Sequence, residues 1–188
     1  MKYFALNKPY GVISQFTKEA GRKTLADVYK FPKNIYPVGR LDMDSEGLLL
    51  LTDDRSLTEY LLNPDNKHER EYYAEVEGIP TEEELKRLES GVIFEGKMTL
   101  PAKAKILDNI KIEGREKPIR FRKNVPDCWI SLTLMEGRNR QVRKMTAAIR
   151  HPTLRLIRVR IKNILLGNMK PGDVRILSDT EIKELKGL

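Results

Sequence analysis

Residues 39–52, with the sequence GRLDMDSEGLLLLT, place three carboxylates and an arginine directly before four consecutive leucines. A short apolar run bounded by polar residues is typical of a strand that is buried on both faces. Such a strand is a rigid support, and a charged loop leading into it is a good position for a catalytic group. Chemistry on the loop that contains Asp42, Asp44 and Glu46 is therefore the first hypothesis.

The same residues also resemble a calcium-binding loop. Counted from Asp42, carboxylates occupy positions one, three and five, a glycine occupies position six, and Asp53 occupies position twelve. The ninth position is Leu50, which has no side-chain oxygen, and the twelfth carries an aspartate instead of the longer glutamate. Pro37 and Gly39 lie where the entering helix would have to be. These departures disfavour calcium.

The charge balance favours a polyanionic partner. The 188 residues include 35 lysines and arginines against 27 aspartates and glutamates, which gives a net charge of +8 and a pI near 9.5. This excess favours nucleic acid over a membrane surface. One cysteine excludes an internal disulfide, and two distant histidines disfavour a zinc site. Without a signal-peptide core or a run of about 20 apolar residues, we expect a cytoplasmic protein with no membrane span.

Strand and helix patterns are mixed without regular βαβ alternation. Strand patterns cover residues 3–6, 12–13, 70–77, 128–134 and 156–162. Helix starts are predicted at Thr24, at Asn139 and at three capping boxes, Ser56/Glu59, Thr81/Glu84 and Ser178/Glu181. Turns join neighbouring strands. The fold class is therefore α+β, with a largely antiparallel or mixed sheet.

Five segments occur in a fixed order: KPYG at 8–11, the loop and strand at 39–52, REY at 70–72, EGRNRQVRKM at 136–145 and LIR at 156–158. In this order they resemble the motifs of the RsuA-type ribosomal pseudouridine synthases, and the resemblance covers nearly the whole chain. The GRLD and RNRQVRK segments are the specific ones. Ser45-Glu46 and the segments at 118–120 and 152–158 resemble most closely the RluE branch, which acts on 23S rRNA.

The resemblance implies a pseudouridine synthase catalytic domain over residues 1–188, with a curved, mainly antiparallel sheet, flanking helices and a central basic cleft. Two subdomains are expected to share that sheet. No S4-like RNA-binding domain is expected, because only seven residues precede Lys8. The implied partner is ribosomal RNA, 23S by analogy with the branch, and we expect a monomer without an obligate protein partner.

The implied reaction isomerises a uridine of RNA to pseudouridine. The N1–C1′ bond is cut, the base turns, and C5 bonds to C1′. The resemblance implies neither a cofactor nor a metal. A uridine within folded RNA must first be extruded, which costs a few kcal/mol of unstacking.

The resemblance also assigns roles to individual residues. Asp42 takes the position of the essential aspartate, which acts as a nucleophile on C1′ or as a base on the sugar. Tyr72 takes the position of the tyrosine that packs on the base and helps to remove the C5 proton. Arg143 takes that of the arginine that pairs with the aspartate and favours its ionised form. Arg40 is expected to face the RNA and Leu156 to wall the base pocket. Further RNA contacts are expected from Arg138, Arg140, Lys144 and Arg158.

Without the resemblance, several residues have simpler interpretations. Tyr72 shares a strand face with Ala74 and Val76, which is typical of a core tyrosine. Arg143 by itself reads as a solvated helix residue. Arg158, Arg160 and Lys162 are compatible with a solvated strand face, and Arg120, Arg122 and Lys123 with either RNA contact or solvation. Asp44, Ser45 and Glu46 are compatible with capping of turn backbone.

Two other functions remain open at this point. One is a non-catalytic module that binds rRNA during ribosome assembly. The other is a metal-dependent nuclease that uses Asp42, Asp44 and Glu46.

Overall fold

The computed structural model describes residues 1–115, 117–118 and 125–187. Arg120, Arg122 and Lys123, for which the sequence left two interpretations open, lie outside these ranges. The chain forms two compact units. Unit 1 consists of residues 1–68 and 157–188, and unit 2 consists of residues 69–156. Within the described ranges, no helix is long and apolar enough to cross a membrane.

Strands and short helices follow one another along the chain. The strands are β1 Tyr3–Lys8, β2 Val12–Ile13, β3 Lys23–Thr24, β4 Tyr36–Pro37, β5 Glu46–Thr52, β6 Arg70–Glu77, β7 Ile93–Phe94, β8 Lys97–Met98, β9 Lys103–Ile106, β10 Asp127–Leu134, β11 Thr153–Ile161, β12 Ile164–Leu165 and β13 Val174–Ile176. The α-helices are α1 Leu25–Val28, α2 Arg55–Leu62, α3 Glu82–Ser90, α4 Gln141–Ala148 and α5 Asp179–Lys186. The α+β class is confirmed.

The leucine strand β5 is the centre of unit 1. It pairs antiparallel with β1 and with β4, and residues 157–158 of β11 run parallel to it. All seven of its residues are buried, as the sequence predicts. Leu48 and Leu50 lie in one apolar cluster with residues of α2 and α5, so the strand is covered on that face by helices. Full burial of each leucine contributes roughly 1.5–3 kcal/mol.

The start of α2 differs from the prediction. The N-cap is Asp54, whose Oδ1 accepts a hydrogen bond from the backbone N–H of Leu57 at 3.1 Å. Ser56 lies within the first turn and donates its hydroxyl to the same carboxylate at 2.7 Å. The predicted Ser56/Glu59 box is therefore wrong, because an aspartate two residues upstream takes the cap. The boxes predicted at Thr81/Glu84 and Ser178/Glu181 are confirmed.

Unit 2 contains the antiparallel strands β6, β10 and β9, in that order. Tyr72, Ala74 and Val76 of β6 face the core, as their alternation predicts, and α3, α4 and β10 contribute further apolar side chains to it. Helix α4 begins at Gln141 with Arg140 in the left-handed region at its N-cap, so the predicted cap at Asn139 is wrong. The backbone turns sharply at Arg140, where φ is +52°. The side chain of Asn139, on which the prediction was based, does not indicate where this turn lies.

The opposite face of β6 carries a buried carboxyl group. Glu75 is 7% exposed and lies directly across the ladder from Trp129. Its Oε2 has no hydrogen-bond partner among the described residues. Burial raises the pKa of Glu75 to about 7, the carboxyl group of Asp127 adds to the rise, and Arg155 and Arg115 oppose it. In the folded protein this side chain therefore holds its proton up to nearly neutral pH.

Glu75→Gln is expected to stabilise the protein at pH 8 and to have little effect at pH 5. Because the folded-state pKa of about 7 exceeds the ordinary 4.5, the native state binds more protons between these values. The free energy of unfolding of the wild type therefore falls as pH rises through this window, by up to about 1.4 kcal/mol per unit. Denaturant unfolding at pH 5 and pH 8 measures the difference in the free energy of unfolding between the variant and the wild type, with the exposed Glu83→Gln as the control. Equal effects at pH 5 and pH 8 would contradict this burial argument.

Candidate active site

The loop that carries Asp42 joins β4 to β5 and is fixed by the beginning of the chain. The Ser14 hydroxyl donates to the carbonyl oxygen of Leu41 at 2.7 Å and accepts from its N–H at 3.0 Å. One turn earlier, the N–H of Gly11 donates to the carbonyl oxygen of Met43 at 2.8 Å. Asp42 is therefore held between two anchored neighbours. Its side chain is half-buried, which leaves it open to a reacting group.

Lys8 lies in the same unit and has no exposed surface. Its Nζ donates to the carbonyl oxygens of Pro9, at 2.9 Å, and Val12, at 2.7 Å. Burial lowers the pKa of Lys8 to about 8. The carboxylates of Glu46, Asp44 and Asp42 oppose that fall, and Arg158 adds to it. A buried cation thus accompanies the acidic loop.

The sequence pattern includes Lys8 only as part of the KPYG segment and does not predict a role for its side chain. The available signal is a lysine that closely follows the apolar residues 3–6 of β1. The strand register brings Lys8 close to the acidic loop, because Lys8 pairs with Gly47 at the start of β5, directly after the acidic residues.

Arg158 is a second buried cation of unit 1, with 4% of its surface exposed. It pairs with Gly47 in the parallel ladder, and its Nε donates to the carbonyl oxygen of Leu48 at 2.7 Å. Its Nη2 has no hydrogen-bond partner within the described ranges. The interpretation of Arg158 as part of a solvated strand face is therefore wrong. Its predicted contact with RNA stays a prediction.

Lys8→Met is expected to change how stability depends on pH. Because the folded-state pKa of Lys8, about 8, lies below the ordinary 10.5, the unfolded chain binds one more proton between these values. The free energy of unfolding of the wild type therefore gains up to about 1.4 kcal/mol per pH unit from this group. The variant lacks the gain. Unfolding curves at pH 8 and pH 10 should show that the free energy of unfolding of Lys8→Met falls further below that of the wild type at the higher pH. The exposed Lys183→Met is the control and should show no such change. A difference between Lys8→Met and the wild type that is the same at both pH values would contradict the burial of the charged Lys8 side chain.

Unit 2 holds Tyr72 and Arg143, both half-buried. Tyr72 lies across the ladder from Leu132 and packs against the core. Arg143 lies on α4, and its Nη1 donates to the carbonyl oxygen of Thr153 at 3.3 Å. Leu156, the predicted wall of the base pocket, is buried in the same core. Their assigned roles stay predictions.

Two of the predicted RNA contacts in unit 2 hold the β7–β8 hairpin. The guanidinium of Arg138 lies 3.8 Å from the ring centre of Phe94, and its Nη2 donates to the carbonyl oxygen of that residue at 3.1 Å. Lys144 forms a salt bridge with Glu95. Because both cations have protein partners, contact with phosphates would have to share or replace these interactions. Arg140 and, in unit 1, Arg40 are exposed.

A metal site does not emerge from these side chains. Among the residues that the structure describes, no group of three or more His, Cys, Asp or Glu side chains is arranged to hold a metal ion. Unit 1 does hold a half-buried carboxylate, Asp42, on a fixed loop, and the same unit contains the buried cations Lys8 and Arg158. Such a carboxylate is suited to nucleophilic or general-base chemistry.

The fold and the loop define the class of protein. A solved pseudouridylate synthase matches 98% of this chain and 73% of its own length, with a TM-score of 0.81 and 29% sequence identity. Residues 2–148 match the RNA pseudouridylate synthase family, and the chain belongs to that family. It is therefore an RNA pseudouridine synthase, an isomerase that converts uridine to pseudouridine.

Curated relatives are more similar still. The chain is 49% identical over 171 residues to the ribosomal large subunit pseudouridine synthase E of Vibrio parahaemolyticus. The matched residues cover 91% of this chain and 71% of the relative. It is 47% identical over 169 residues to the protein of the same name from Xanthomonas axonopodis, with 88% of each chain covered. These similarities confirm the resemblance to the RluE branch.

Proposed function

We propose that this enzyme isomerises one specific uridine of 23S rRNA, the RNA of the large ribosomal subunit, with Asp42 as the catalytic carboxylate. The observation that carries the substrate is the shared name of four relatives at 45–49% identity, each a ribosomal large subunit pseudouridine synthase E. A non-catalytic rRNA-binding module has no comparable support.

The placement of Asp42 supports its role. The residue lies between Leu41 and Met43, whose backbones are hydrogen-bonded to Ser14 and Gly11. A fixed loop holds the reacting oxygen in position before the substrate arrives, so less orientation has to be gained during reaction. Lys8 and Arg158 place positive charge in a unit where three carboxylates come close together in sequence. Opposite charge reduces the repulsion among the carboxylates.

The chemical step conserves atoms and electrons. The N1–C1′ bond of the uridine breaks and a C5–C1′ bond forms, while the proton on C5 is lost and N1 gains one. Asp42 acts either by attack on C1′ or by removal of a sugar proton. We keep Tyr72 as the residue that packs on the base, and Arg143 as the partner of Asp42 that the resemblance assigns. A half-buried tyrosine supported by an apolar core is a rigid surface for a flipped base.

The proposal extends to how the enzyme works in the cell. We propose that it acts as a monomer, without an obligate protein partner, in the cytoplasm where ribosomal RNA is found. No cofactor or metal is part of the proposed reaction, so full activity is expected in EDTA. Size-exclusion chromatography with light scattering tests the oligomeric state independently of activity.

The substrate is tested by mapping pseudouridines in total RNA from cells that lack this protein. One site in 23S rRNA is expected to revert to uridine and to be restored by the wild-type protein but not by Asp42→Asn. An unchanged 23S profile, or loss of a site in another RNA, would contradict the proposed substrate. Restoration by Asp42→Asn would contradict the proposed catalytic residue alone.

A further inference from the structure

An aromatic surface pocket of unit 1 lies outside the residues discussed so far. It has a volume of about 320 Å³, and the side chains that matter for the argument are Phe16, Tyr29, Lys30, Phe31, Lys33 and Tyr36. We call it the aromatic pocket. Its volume is at the lower end of the range of about 300–1,000 Å³ found for small-ligand sites.

Three rings of the pocket, Phe16, Tyr29 and Phe31, are held in place by one another. Phe31 makes edge-to-face contacts with Tyr29, at a centroid distance of 4.8 Å, and with Phe16, at 5.7 Å. From the interior, the buried Phe4 of β1 supports the same ring at 5.5 Å. Each such contact contributes roughly 0.5–1.5 kcal/mol beyond burial. The cluster is therefore a fixed platform rather than a set of independent surface side chains.

The pocket nevertheless leaves aromatic surface in solvent. Tyr36 is 62% exposed and Tyr29 is 44% exposed. The ring of Tyr29 is supported by Phe31, and the backbone of Tyr36 is fixed by its pairing with Thr52. Both tyrosines therefore offer π-faces to which a base can stack with little loss of side-chain entropy. A single exposed tyrosine would need no explanation, but two beside one pocket indicate a binding surface.

The charge around the pocket indicates which partner it binds. Lys30 and Lys33 are exposed at its rim, and no acidic residue is among the described residues that line it. Asp27 of α1, which follows the lining residue Ala26 in the sequence, accepts hydrogen bonds from the N–H and hydroxyl of Thr24, so its carboxylate already has partners within the protein. Aromatic faces combined with lysines match the bases and phosphates of unpaired RNA, whereas an apolar protein segment would gain nothing from the lysines.

The pocket is also connected rigidly to the proposed catalytic loop. Tyr36 and Pro37 form β4, which pairs with Thr52 and Leu51 of β5. Asp42 follows Tyr36 by only six positions, so the chain between them spans at most roughly 20 Å. A nucleotide bound in the pocket would therefore lie at a fixed, short distance from the proposed catalytic carboxylate.

We infer that the aromatic pocket binds an unpaired nucleotide of the substrate RNA within a few positions of the modified uridine, by stacking on Tyr29 and Tyr36 and by contact of Lys30 and Lys33 with its phosphates. This inference rests on the proposed function and adds a second point of attachment for the RNA. A base held there selects substrates in which the target uridine has an unpaired neighbour.

The test measures equilibrium binding of the full chain to a 23S rRNA fragment that contains the mapped site. Tyr36→Ala is expected to raise the Kd about 5- to 100-fold, because one stacked base is lost. Tyr36→Phe keeps the ring and should restore binding to within about twofold of the wild type. Lys33→Ala should reduce the slope of log K against log salt by about 1. Leu165→Ala and Lys183→Ala, exposed side chains elsewhere in unit 1, are the controls and should leave the Kd unchanged.

Unchanged RNA affinity in Tyr36→Ala would overturn the inference. So would equal weakening by Tyr36→Ala and Tyr36→Phe, because the ring would then not be the binding group. Unchanged RNA affinity together with lost binding to isolated ribosomal proteins would assign the pocket to a protein partner and would also overturn it. The proposed function is tested separately, by pseudouridine formation with the wild-type protein. A wild type that forms pseudouridine, together with pocket variants of unchanged RNA affinity, would contradict only the inference about the pocket.

Discussion

Replacement of Asp42 by asparagine is expected to abolish pseudouridine formation, with a fall in kcat/KM on the order of 10⁴-fold. Asparagine has nearly the same shape, and the hydrogen bonds that fix the loop come from the backbones of Leu41 and Met43. The loop should therefore keep its structure. What the amide cannot do is attack C1′ or accept a proton from the sugar. The Kd for the rRNA fragment should change by no more than a few-fold.

Asp44→Asn is the matched control for this experiment. Asp44 lies two positions further along the same loop and is also half-buried, and we assign it to orienting the loop. Its loss should reduce kcat/KM by about tenfold at most, since only positioning is affected. A large loss in Asp44→Asn with near-normal turnover in Asp42→Asn would show that the wrong carboxylate has been assigned.

Gly47→Ala is expected to destabilise the fold by about 4 kcal/mol, through strain and overpacking together. Gly47 has a φ of +102°, and an added Cβ would lie 2.7 Å from the backbone nitrogen of Arg158 and closer still to its carbonyl oxygen. Both neighbours are backbone atoms of a paired strand, so neither can move without breaking the ladder. For a chain of 188 residues, about 4 kcal/mol corresponds to a fall in Tm of roughly 8–16 °C.

Gly167→Ala separates the two contributions. Gly167 also has a positive φ, +58°, but an added Cβ would have no heavy atom within 4 Å. This variant should therefore show only the conformational cost, about 1–2 kcal/mol. Equal changes in Tm for the two variants would show that the close approach of Arg158 to Gly47 is not present in solution.

Local features of the fold could be predicted from the sequence. The buried strand β5 followed from four consecutive leucines, and the caps at Thr81 and Ser178 followed from a glutamate three residues later. The cap of α2 could not be chosen in the same way, because Asp54 and Ser56 both have the chemistry of a cap. Which of them takes the position depends on where the preceding strand ends.

The electrostatics of the candidate site depend on long-range contacts. Burial of Lys8 results from the pairing of β1 with β5, and burial of Arg158 from the parallel pairing of β11 with β5. No pattern within either segment predicts these partners. Arg138 was similarly predicted only as an RNA contact, and its stacking on Phe94 joins residues 44 positions apart.

The most direct test of the proposed activity is tritium release from 23S rRNA labelled with [5-³H]uridine. The C5–H bond is lost only if C5 becomes the new attachment to the sugar. The purified protein is therefore expected to release tritium equivalent to one uridine per rRNA molecule, at the same rate with and without EDTA. Binding of the rRNA without any release of tritium would contradict the assignment of this chain as a pseudouridine synthase of the large ribosomal subunit.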